Sequence, residues 1–565
     1  MDNSHRWNPL SKMTRCMPDD RRGACQSRHQ GGCIMGIETK GMSRRSFLGA
    51  GAVVAAGAAF AGLAGCSPSG ETKGAEATSA AAAGETRDLG SASFELTADT
   101  KQADETKEVD IVVVGSGMGG FSAALTAIEE GAKSVVLLEK NNSLGGSTNM
   151  AECPAGARPF EYTEEEARAA AAGAQADSYG VSDPMLLYSM FRDAKENFSW
   201  LFDTHGVGWT KQGQAPAFYE GGNGKIAIEK LAAAAEKEDG LEVLTETPAT
   251  QLLLSDEYTV EGVRAKTKDG KYVDYKAKAV VLATGGMSTN KTLLAGYTSQ
   301  DLDKTIGWGQ GQDGDGHLMA EQTAHGRANH LTVDSLFNNV KDFSYDSALG
   351  VCVAMQPSNF WVNQDGLRFM NENISSTAVS GKVVETQGSV WSIVDADGIQ
   401  KYAEGGCQRH YSGFADKLVG NAIDGLQDEV DKAVSGNDEC FKADTIADLA
   451  KEIGVDADNL ADEIEKYNTG TDAEWGKEAE NMWPIATAPL YAFRISSGML
   501  NTSGGIRINT NAQVVDDRYK PIAGLYAAGV CTSGWDGEVY GNGTCQANAL
   551  FCGRTAAKHI VKNLL

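Results

Sequence analysis

Three glycines and one acid in the first third of the chain have the types and spacing of a nucleotide-binding site. Gly115, Gly117 and Gly120 form a glycine turn, and Glu139 follows about 20 residues later. Such a turn lets the backbone approach a pyrophosphate, and the free N–H groups of a following helix bind the anion. A carboxylate at Glu139 would accept hydrogen bonds from ribose hydroxyls, whereas an NADP site favours arginine there. The spacing predicts a bound dinucleotide.

The elements that must position these residues read as a βαβ unit. Isoleucine and valine fill Ile111 to Val114, which is typical of a strand buried on both faces of a parallel sheet. A helix pattern follows the glycine turn, and a second apolar run ends at Glu139. Nicotinamide and flavin dinucleotides both use this unit, so the unit alone leaves the redox cofactor undecided.

Motifs further along the chain resemble one superfamily of flavoproteins. The acid is followed by NNSLGGSTNMA, and then come ATGG, GDGHLMAE, VNQDGLRFMNE, TSGG, GLYAAG and an Ala549-Leu550 pair at the start of the last helix pattern. In this order the motifs resemble the FAD-dependent fumarate reductase and succinate dehydrogenase flavoproteins, including urocanate reductase-like and 3-ketosteroid dehydrogenase-like members. The resemblance runs from near Val109 to the C-terminus.

The resemblance implies an α/β fold with a Rossmann-like FAD-binding domain formed by N- and C-terminal segments and an inserted α+β capping domain. We expect the FAD-binding domain at residues 108–335 and 486–565, and the capping (substrate) domain at residues 336–485. Inside the cap, VNQDGLRF and SVWSIVDADGI read as strands, and residues 445–453 and 459–468 read as acidic helices.

The resemblance also implies how FAD is held. The first glycine turn would wrap the pyrophosphate, and the last helix would direct its positive end at the flavin. Relatives with covalent FAD carry a histidine in the second glycine turn, where this chain has Ser147-Thr148-Asn149, so non-covalent FAD is expected. The family usually has a glutamate at Val530 and a histidine at Asn501. The cofactor-binding positions carried over are Gly115, Ser116, Gly117, Gly119, Gly120, Glu139, Lys140, Gly146, Ser147, Thr148, Ala249, Asn501, Gly529, Val530, Ala549 and Leu550.

The catalytic residues of the fumarate reductases are absent from the matching positions. The proton-donating arginine falls on Ser376, the second arginine on Thr544, and a histidine before TSGG on Leu500. A buried dicarboxylate without arginine partners is costly. The replacements therefore argue against fumarate or succinate as the substrate.

Tyr540 is the catalytic candidate that replaces them. It precedes Gly541-Asn542-Gly543 in a loop that resembles the tyrosine-glycine loop of 3-ketosteroid dehydrogenases, where a tyrosine hydroxyl and a glycine N–H polarise a ketone. Tyr540 would act as an acid or as a carbonyl donor. A tyrosine packed on the flavin edge is the alternative and stays open. Tyr219 and His410 are further polar candidates, each with a structural or surface role as its alternative.

These features favour an exported FAD-dependent oxidoreductase that acts on CH-CH or C=C groups. By resemblance, hydride from flavin N5 would reduce an activated C=C bond of an enoate or enone in anaerobic respiration. A neutral or mono-acid aromatic or terpenoid substrate fits better than a dicarboxylate. Two alternatives stay open: a 3-ketosteroid-type dehydrogenase that runs the reverse reaction, and a catalytically inactive flavoprotein that carries electrons.

Charge and cysteine spacing limit the partners. The formal net charge of -26 argues against nucleic acid, because phosphate neutralisation needs clustered lysine and arginine. The cysteines show neither CxxCH nor paired CxxC spacing, so no haem c, iron–sulfur cluster or metal site is expected. Electrons would then come from a separate donor protein of the cytochrome c or membrane quinol oxidase type. The cysteines themselves are either disulfide-bonded or small apolar fillers.

The N-terminal segment indicates where in the cell the protein is located. Residues 1–34 match no pattern and precede alternative start methionines, while residues 35–66 read as a twin-arginine signal that ends in the lipobox Leu63-Ala64-Gly65-Cys66. Residues 67–107 read as a flexible linker. We therefore expect Tat export and an extracytoplasmic cell-envelope lipoprotein that meets the membrane only through its N-terminal lipid anchor.

Overall fold

The computed structural model describes residues 102–155, 159–211, 217–296, 302, 306–341, 343–344, 347–373, 377–409, 417–537 and 544–565. Its strands are β1 Glu105–Val114, β2 Val135–Leu138, β3 Trp209–Lys211, β4 Ala217–Tyr219, β5 Leu241–Leu244, β6 Ala249–Asp256, β7 Thr259–Lys266, β8 Tyr272–Leu282, β9 Ile306–Gly307, β10 Ala328–Val340, β11 Phe360–Val362, β12 Val390–Asp395, β13 Cys440–Ala443, β14 Leu490–Ile506, β15 Gln513–Val515 and β16 Pro521–Ala527.

The helices separate these strands along the chain. They are Met118–Glu129, Glu164–Asp177, Pro184–Arg192, Ala194–Ser199, Lys225–Ala235, Lys291–Leu294, Asp315–Leu318, Ala348–Ala354, Thr377–Glu385, Ala396–Gly405, Leu426–Gly436, Ile446–Ile453, Ala457–Asn468 and Thr544–Leu564. None of the helices in these described ranges has both the length and the apolar character needed to cross a membrane.

The first sheet joins the two ends of the described chain. Its strand order is β15-β16-β7-β8-β1-β2-β5, with β6 paired to β7. β1 runs parallel to both neighbours, with Ile111 opposite Val135 in β2 and Ala279 in β8. β16 from the C-terminal segment is also parallel to β8, with Tyr526 opposite Val281. The Rossmann-like domain is therefore built from two distant segments, as predicted.

Two helices are pressed together beside this sheet, Met118–Glu129 and Thr544–Leu564. A Cβ atom on Gly553 would lie 2.2 Å from Ser122 Oγ, so only glycine permits this approach. Arg554 then anchors the second helix, because its Nε donates to Asn197 Oδ1 at 2.8 Å. The close packing sets where the N-terminus of the C-terminal helix meets the sheet.

The second sheet carries the capping region. Its order is β10-β14-β12-β11, with β13 and β9 paired to β14. β10 and β14 are antiparallel, with Val340 opposite Ile495. Side chains from this sheet and from the helices between residues 348 and 436 share one apolar core. The predicted fold class is confirmed. β14 lies beyond the expected boundary at 485 and pairs with β12, which lies before it, so one sheet contains residues from both sides.

The two acidic helices of the cap are confirmed at Ile446–Ile453 and Ala457–Asn468. Each begins at a residue whose side chain accepts backbone N–H bonds. Thr445 accepts from Asp448 N, and Asp456 accepts from the N–H groups of the first turn of its helix. Such caps satisfy donors that the helix itself leaves unpaired.

The predicted strand VNQDGLRF is wrong beyond its first residue. β11 ends at Val362, and the side chain of Asn363 accepts from Asp365 N and Leu367 N. Gly366 in this turn has φ +81°, a value that favours glycine. The local asparagine bonds compete with the sheet and end the strand.

The predicted strand SVWSIVDADGI is right only in its first half. β12 ends at Asp395, whose side chain caps the helix Ala396–Gly405 by accepting from Gly398 N at 2.8 Å. The aspartate therefore converts a strand into a helix at this point.

Candidate cofactor and active site

A cavity opens at the carboxyl ends of four parallel strands. Val114 ends β1, Leu138 ends β2, Ala283 follows β8 and Ala528 follows β16, and all four line the cavity. Ligands of open parallel sheets bind at this edge. The predicted cofactor positions that line it are Gly115, Ser116, Gly117, Gly119, Glu139, Lys140, Gly146, Ser147, Thr148, Ala249, Gly529, Val530 and Ala549.

The two glycine turns meet at the N-terminus of the first helix. Gly117 precedes this helix and supplies no side-chain cap, while Met118 N donates to Thr148 Oγ1 at 3.1 Å. Gly120 lies behind the cavity, because a Cβ atom there would be 1.8 Å from the carbonyl oxygen of Gly115. Backbone N–H groups and the helix dipole at this point favour an anion.

Glu139 is buried and held in one orientation by donors around it. Its Oε2 accepts from Ser116 N at 3.1 Å and from Ser116 Oγ at 2.6 Å, and its Oε1 accepts from Asn141 N at 2.8 Å. Ser116 Oγ in turn accepts from Gly145 N at 3.0 Å. A carboxylate has about four acceptor positions. Glu139 therefore keeps acceptor capacity for hydroxyl donors in the cavity.

Lys140 is neutralised by two carboxylates. Its Nζ lies 2.6 Å from Asp313 Oδ2 and 2.9 Å from Asp315 Oδ2. Burial by itself would lower the pKa of the Lys140 ammonium, but Asp315 and Asp313 outweigh burial and hold the pKa above its usual value. Among the described residues that line the cavity, Lys140 is the only lysine or arginine.

A loop that the sequence did not assign to the site closes over the second glycine turn. Ser147 Oγ accepts from Gln310 N at 3.0 Å and from Gln312 Nε2 at 2.9 Å. The residues that line the cavity without having been predicted include Asn141, Gln310, Gly311, Gln312, Asp315, Met319, Cys545 and Gln546. GDGHLMAE was an available signal for some of them, because it directly follows the loop and contains Asp315 and Met319.

The start of the C-terminal helix forms the other end of the cavity. Thr544 is fully buried, and Cys545, Gln546 and Ala549 line the wall. Asn501 lies one layer behind, where its Nδ2 donates to Cys545 Sγ at 3.5 Å. This end of the cavity is uncharged among the described residues that line it.

Leu550 does not line this cavity. Successive helix residues point about 100° apart, so Ala549 and Leu550 face different sides. Leu550 instead packs in a separate apolar pocket with Phe191 and Phe198. Its place beside the flavin ring stays a prediction.

The Tyr219 hydroxyl contacts a residue of the cavity wall, Gln546. Its hydroxyl donates to Gln546 Oε1 at 3.5 Å, and Gln546 Nε2 lies 3.5 Å from Thr148 Oγ1. Tyr219 is buried, and burial raises the pKa of its hydroxyl well above its usual value. Tyr540, His410 and Ser376 lie outside the described residues, as do the N-terminal signal and the lipobox.

Comparison with known proteins identifies the family. The FAD binding domain family matches residues 110–545. This chain belongs to that family. Vinyl phenol reductase of Lactiplantibacillus plantarum is 30% identical over 477 residues, which are 80% of this chain and 96% of that protein. Urocanate reductase of Eggerthella lenta is 31% identical over 449 residues, which are 75% of this chain and 70% of that protein.

A solved structure supports the same assignment. The open conformation of a flavocytochrome c3 fumarate reductase gives a TM-score of 0.63 at 25% identity, covering 82% of this chain and 79% of that chain. The predicted superfamily is therefore confirmed. The chain is an FAD-dependent oxidoreductase of the group that acts on C=C bonds.

The cavity of this FAD-binding family member fits its cofactor. Gly529 has φ +79°, a value that favours glycine, at the wall beside Ala549. Helix N–H groups suit the pyrophosphate, and the acceptor oxygens of Glu139 suit the ribose hydroxyls.

Proposed function

We propose that this protein is an exported reductase of an activated C=C bond in a neutral or mono-carboxylic substrate of aromatic or terpenoid type. The observation that carries the proposal is the replacement of the fumarate reductase arginines. By the resemblance, the proton-donating arginine falls on Ser376 and the second arginine on Thr544. A dicarboxylate substrate would lack these charged partners, whereas a neutral or mono-carboxylic substrate does not need both.

The energetics favour a substrate of low charge. A buried carboxylate without a partner carries an effective penalty of several kcal/mol. Thr544, the position on which the resemblance places the second arginine of the fumarate reductases, is uncharged and fully buried. A hydroxyl binds a carbonyl or a phenol well and compensates a carboxylate poorly.

The names of the relatives support the same range of substrates. A vinyl phenol carries no carboxylate, and urocanate carries one. Neither molecule needs the paired arginines of a dicarboxylate site. We extend this substrate range to the present chain.

Each part of the site has its own role in the proposed reaction. When bound, FAD supplies hydride chemistry through N5 of its reduced ring. The helix Thr544–Leu564 directs its N-terminal dipole towards the cavity and stabilises negative charge there. Tyr540 would donate a proton or a hydrogen bond to the activating carbonyl. The remaining predicted FAD positions would bind and orient the cofactor without a covalent bond.

A panel of acceptors tests the substrate range. Photoreduced holoprotein is mixed with enones, aromatic mono-acids, vinyl phenols and fumarate, and reoxidation of the flavin absorbance is followed. We expect reoxidation by members of the first three classes at rates at least about tenfold above fumarate, which corresponds to about 1.4 kcal/mol. Fumarate as the fastest acceptor would contradict the proposal. In a second assay, oxidised holoprotein is mixed with saturated ketones and a high-potential dye that accepts the electrons. Turnover in this assay alone would favour the dehydrogenase alternative, and no response in either assay would favour an electron carrier.

Tyr540→Phe tests the catalytic assignment. The variant should keep its bound flavin and lose about 10²-fold or more in turnover, the usual contribution of a general acid. Tyr219→Phe is the matched control, since Tyr219 meets the cavity only through Gln546. Unchanged turnover in the Tyr540 variant would remove this residue from the mechanism.

We further propose the predicted location and electron supply. A signal at residues 35–66, a linker at 67–107 and lipidation of Cys66 would tether the enzyme outside the cytoplasm, where a separate cytochrome c or membrane quinol oxidase type donor reduces it. The domain limits 108–335, 336–485 and 486–565 are likewise proposed.

Mass measurement of the mature N-terminus tests the proposed location, because a diacylated Cys66 is expected and an unprocessed Met35 or Met42 contradicts it.

A further inference from the structure

Two buried cysteines of the capping region face each other. The sulfur atoms of Cys352 and Cys407 are 3.7 Å apart, although the residues are 55 positions apart in the chain. Their exposed fractions are 0% and 2%. Two thiols at this separation are in van der Waals contact, and a disulfide forms when the sulfurs approach to about 2.05 Å.

The backbone around Cys352 is held in place. Cys352 belongs to the buried helix Ala348–Ala354, which Ser347 caps by accepting from Gly350 N. The carbonyl oxygen of Cys352 accepts from Asn359 Nδ2 at 2.7 Å. The sulfur therefore projects from a fixed support.

The backbone around Cys407 is held equally well. Cys407 N donates to the carbonyl oxygen of Leu418 at 2.8 Å, and the carbonyl oxygen of Cys407 accepts from Gly420 N at 3.1 Å. Gly406 has φ +74°, and a Cβ atom there would lie 2.2 Å from Leu418 O. The chain can make this approach only with glycine at 406.

A glutamine side chain ties the two cysteine segments to each other. Gln356 Oε1 accepts from Gln408 N at 2.9 Å and from Arg409 N at 3.1 Å. Gln356 N donates to Asn359 Oδ1 at 2.7 Å, which returns the network to the partner of Cys352. The contact between the sulfurs is therefore built into the packing and does not depend on two mobile side chains.

We propose that Cys352 and Cys407 are a modification site, at which a disulfide donor converts the two thiols into a reversible disulfide bond. The two cysteines lose two electrons and two protons. The donor, a small or protein disulfide, accepts them, its S–S bond breaks, and it leaves as two thiols. The sequence left disulfides and apolar fillers as alternatives, and the geometry of this pair selects the disulfide.

The environment sets the rate and the consequence of this step. Burial, with the contact to Cys407, raises the pKa of the Cys352 thiol, so thiolate is scarce at neutral pH and oxidation should accelerate as pH rises. The bond would close a segment that contains β11, β12 and the helices Thr377–Glu385 and Ala396–Gly405. Restricting this segment in the unfolded chain stabilises the folded cap.

Peptide mapping of the full-length holoprotein tests the proposal. Reduced protein is incubated with oxidised glutathione at pH 8.5, quenched with acid and alkylated. We expect one dominant cross-linked peptide that joins Cys352 to Cys407, with a loss of about 2 Da for two hydrogen atoms. We also expect a higher urea midpoint of unfolding, which dithiothreitol reverses. Full alkylation of both cysteines after oxidation would overturn the proposal.

Variants separate this pair from the other cysteines. Cys352→Ala and Cys407→Ser should each lose the shift in urea midpoint, and either one suffices if the other fails to fold. Cys440→Ala is the matched control, since Cys440 is buried in the same apolar core and should leave the shift intact. Loss of the shift in the control, or a dominant cross-link elsewhere, would also overturn it. Failure of the acceptor panel has no bearing on this outcome.

Discussion

Buried polar groups have free hydrogen-bonding capacity in the FAD-binding half and are paired with each other in the capping region. Around the cavity, Glu139 and the first helix keep acceptor and donor capacity directed at the space where the cofactor fits. In the cap, Arg368, Glu372, Asp472 and Lys477 form a buried cluster whose charges satisfy each other. In this protein, polar groups that keep hydrogen-bonding capacity towards a cavity indicate a ligand site. Buried charges that are paired with each other do not.

The cap cluster is complete within itself. Arg368 lies 2.8 Å from Glu372 and 3.1 Å from Asp472, and Lys477 Nζ donates to Asn359 O at 2.5 Å. Burial lowers the pKa of Lys477 to about 8, although Glu372 partly opposes the shift. The cluster packs around a tyrosine ring rather than around a cavity. Its role is to hold the cap together.

The largest expected effect comes from breaking that cluster. Arg368→Met removes the cation paired with Asp472 and leaves Glu372 with Lys477, and losing one member of a buried ion pair typically costs about 3–5 kcal/mol. Urea unfolding should show this loss, while flavin absorbance shows that the FAD-binding half still holds its cofactor. Lys466→Met is the control, since Lys466 is 59% exposed beside Glu463 and should change stability by about 0–1 kcal/mol. Equal effects of both variants would contradict the contrast between the two regions.

The next effect concerns His317, a buried group in the FAD-binding half whose two ring nitrogens find no hydrogen-bond partner among the described residues. Burial lowers its pKa to about 4. The unfolded chain binds a proton there near pH 6.5, so between pH 6.5 and 4 the unfolded state binds more protons and stability falls as pH falls, by about 3 kcal/mol in total.

Urea unfolding between pH 4 and 8 measures this slope. His317→Leu should flatten it, whereas His325→Asn should leave it unchanged, because His325 is 42% exposed. A slope that survives in the His317 variant would show that other groups cause the acid sensitivity.

The smallest expected effect comes from a substitution in the glycine turn and tests the role of that turn in FAD binding. Gly120→Ala places a Cβ atom 1.8 Å from the carbonyl oxygen of Gly115, and forced overpacking costs about 1–3 kcal/mol. The first helix must shift, so FAD affinity should fall about tenfold in a fluorescence titration of apoprotein, with the cap unaffected. Gly173→Ala is the control, because nothing lies within 4 Å of a Cβ atom at this helical position and alanine should stabilise it. Unchanged FAD affinity in the Gly120 variant would contradict the proposed role of this contact.

How far the sequence predicts the site depends on how local each interaction is. The strand with Ile111 to Val114, its glycine turn and Glu139 lie in one continuous βαβ segment, and all were predicted. Gln310 and Gln312 were missed, because they meet Ser147 only after more than 160 residues have folded between them. The VNQDGLRF strand failed because one asparagine side chain competed locally with sheet pairing.

The sequence by itself determined the dinucleotide-binding βαβ unit, because apolar runs, a glycine turn and a terminal acid act over short stretches of backbone. FAD and the two-segment sheet were implied by the resemblance of the ordered motifs to a flavoprotein superfamily. Only the tertiary structure decided which side chains reach the cavity, that its single described cation is neutralised, and that Cys352 meets Cys407. These features depend on the exact closure of distant segments. Periodicity and spacing along the chain do not predict distances between side chains that are far apart in sequence.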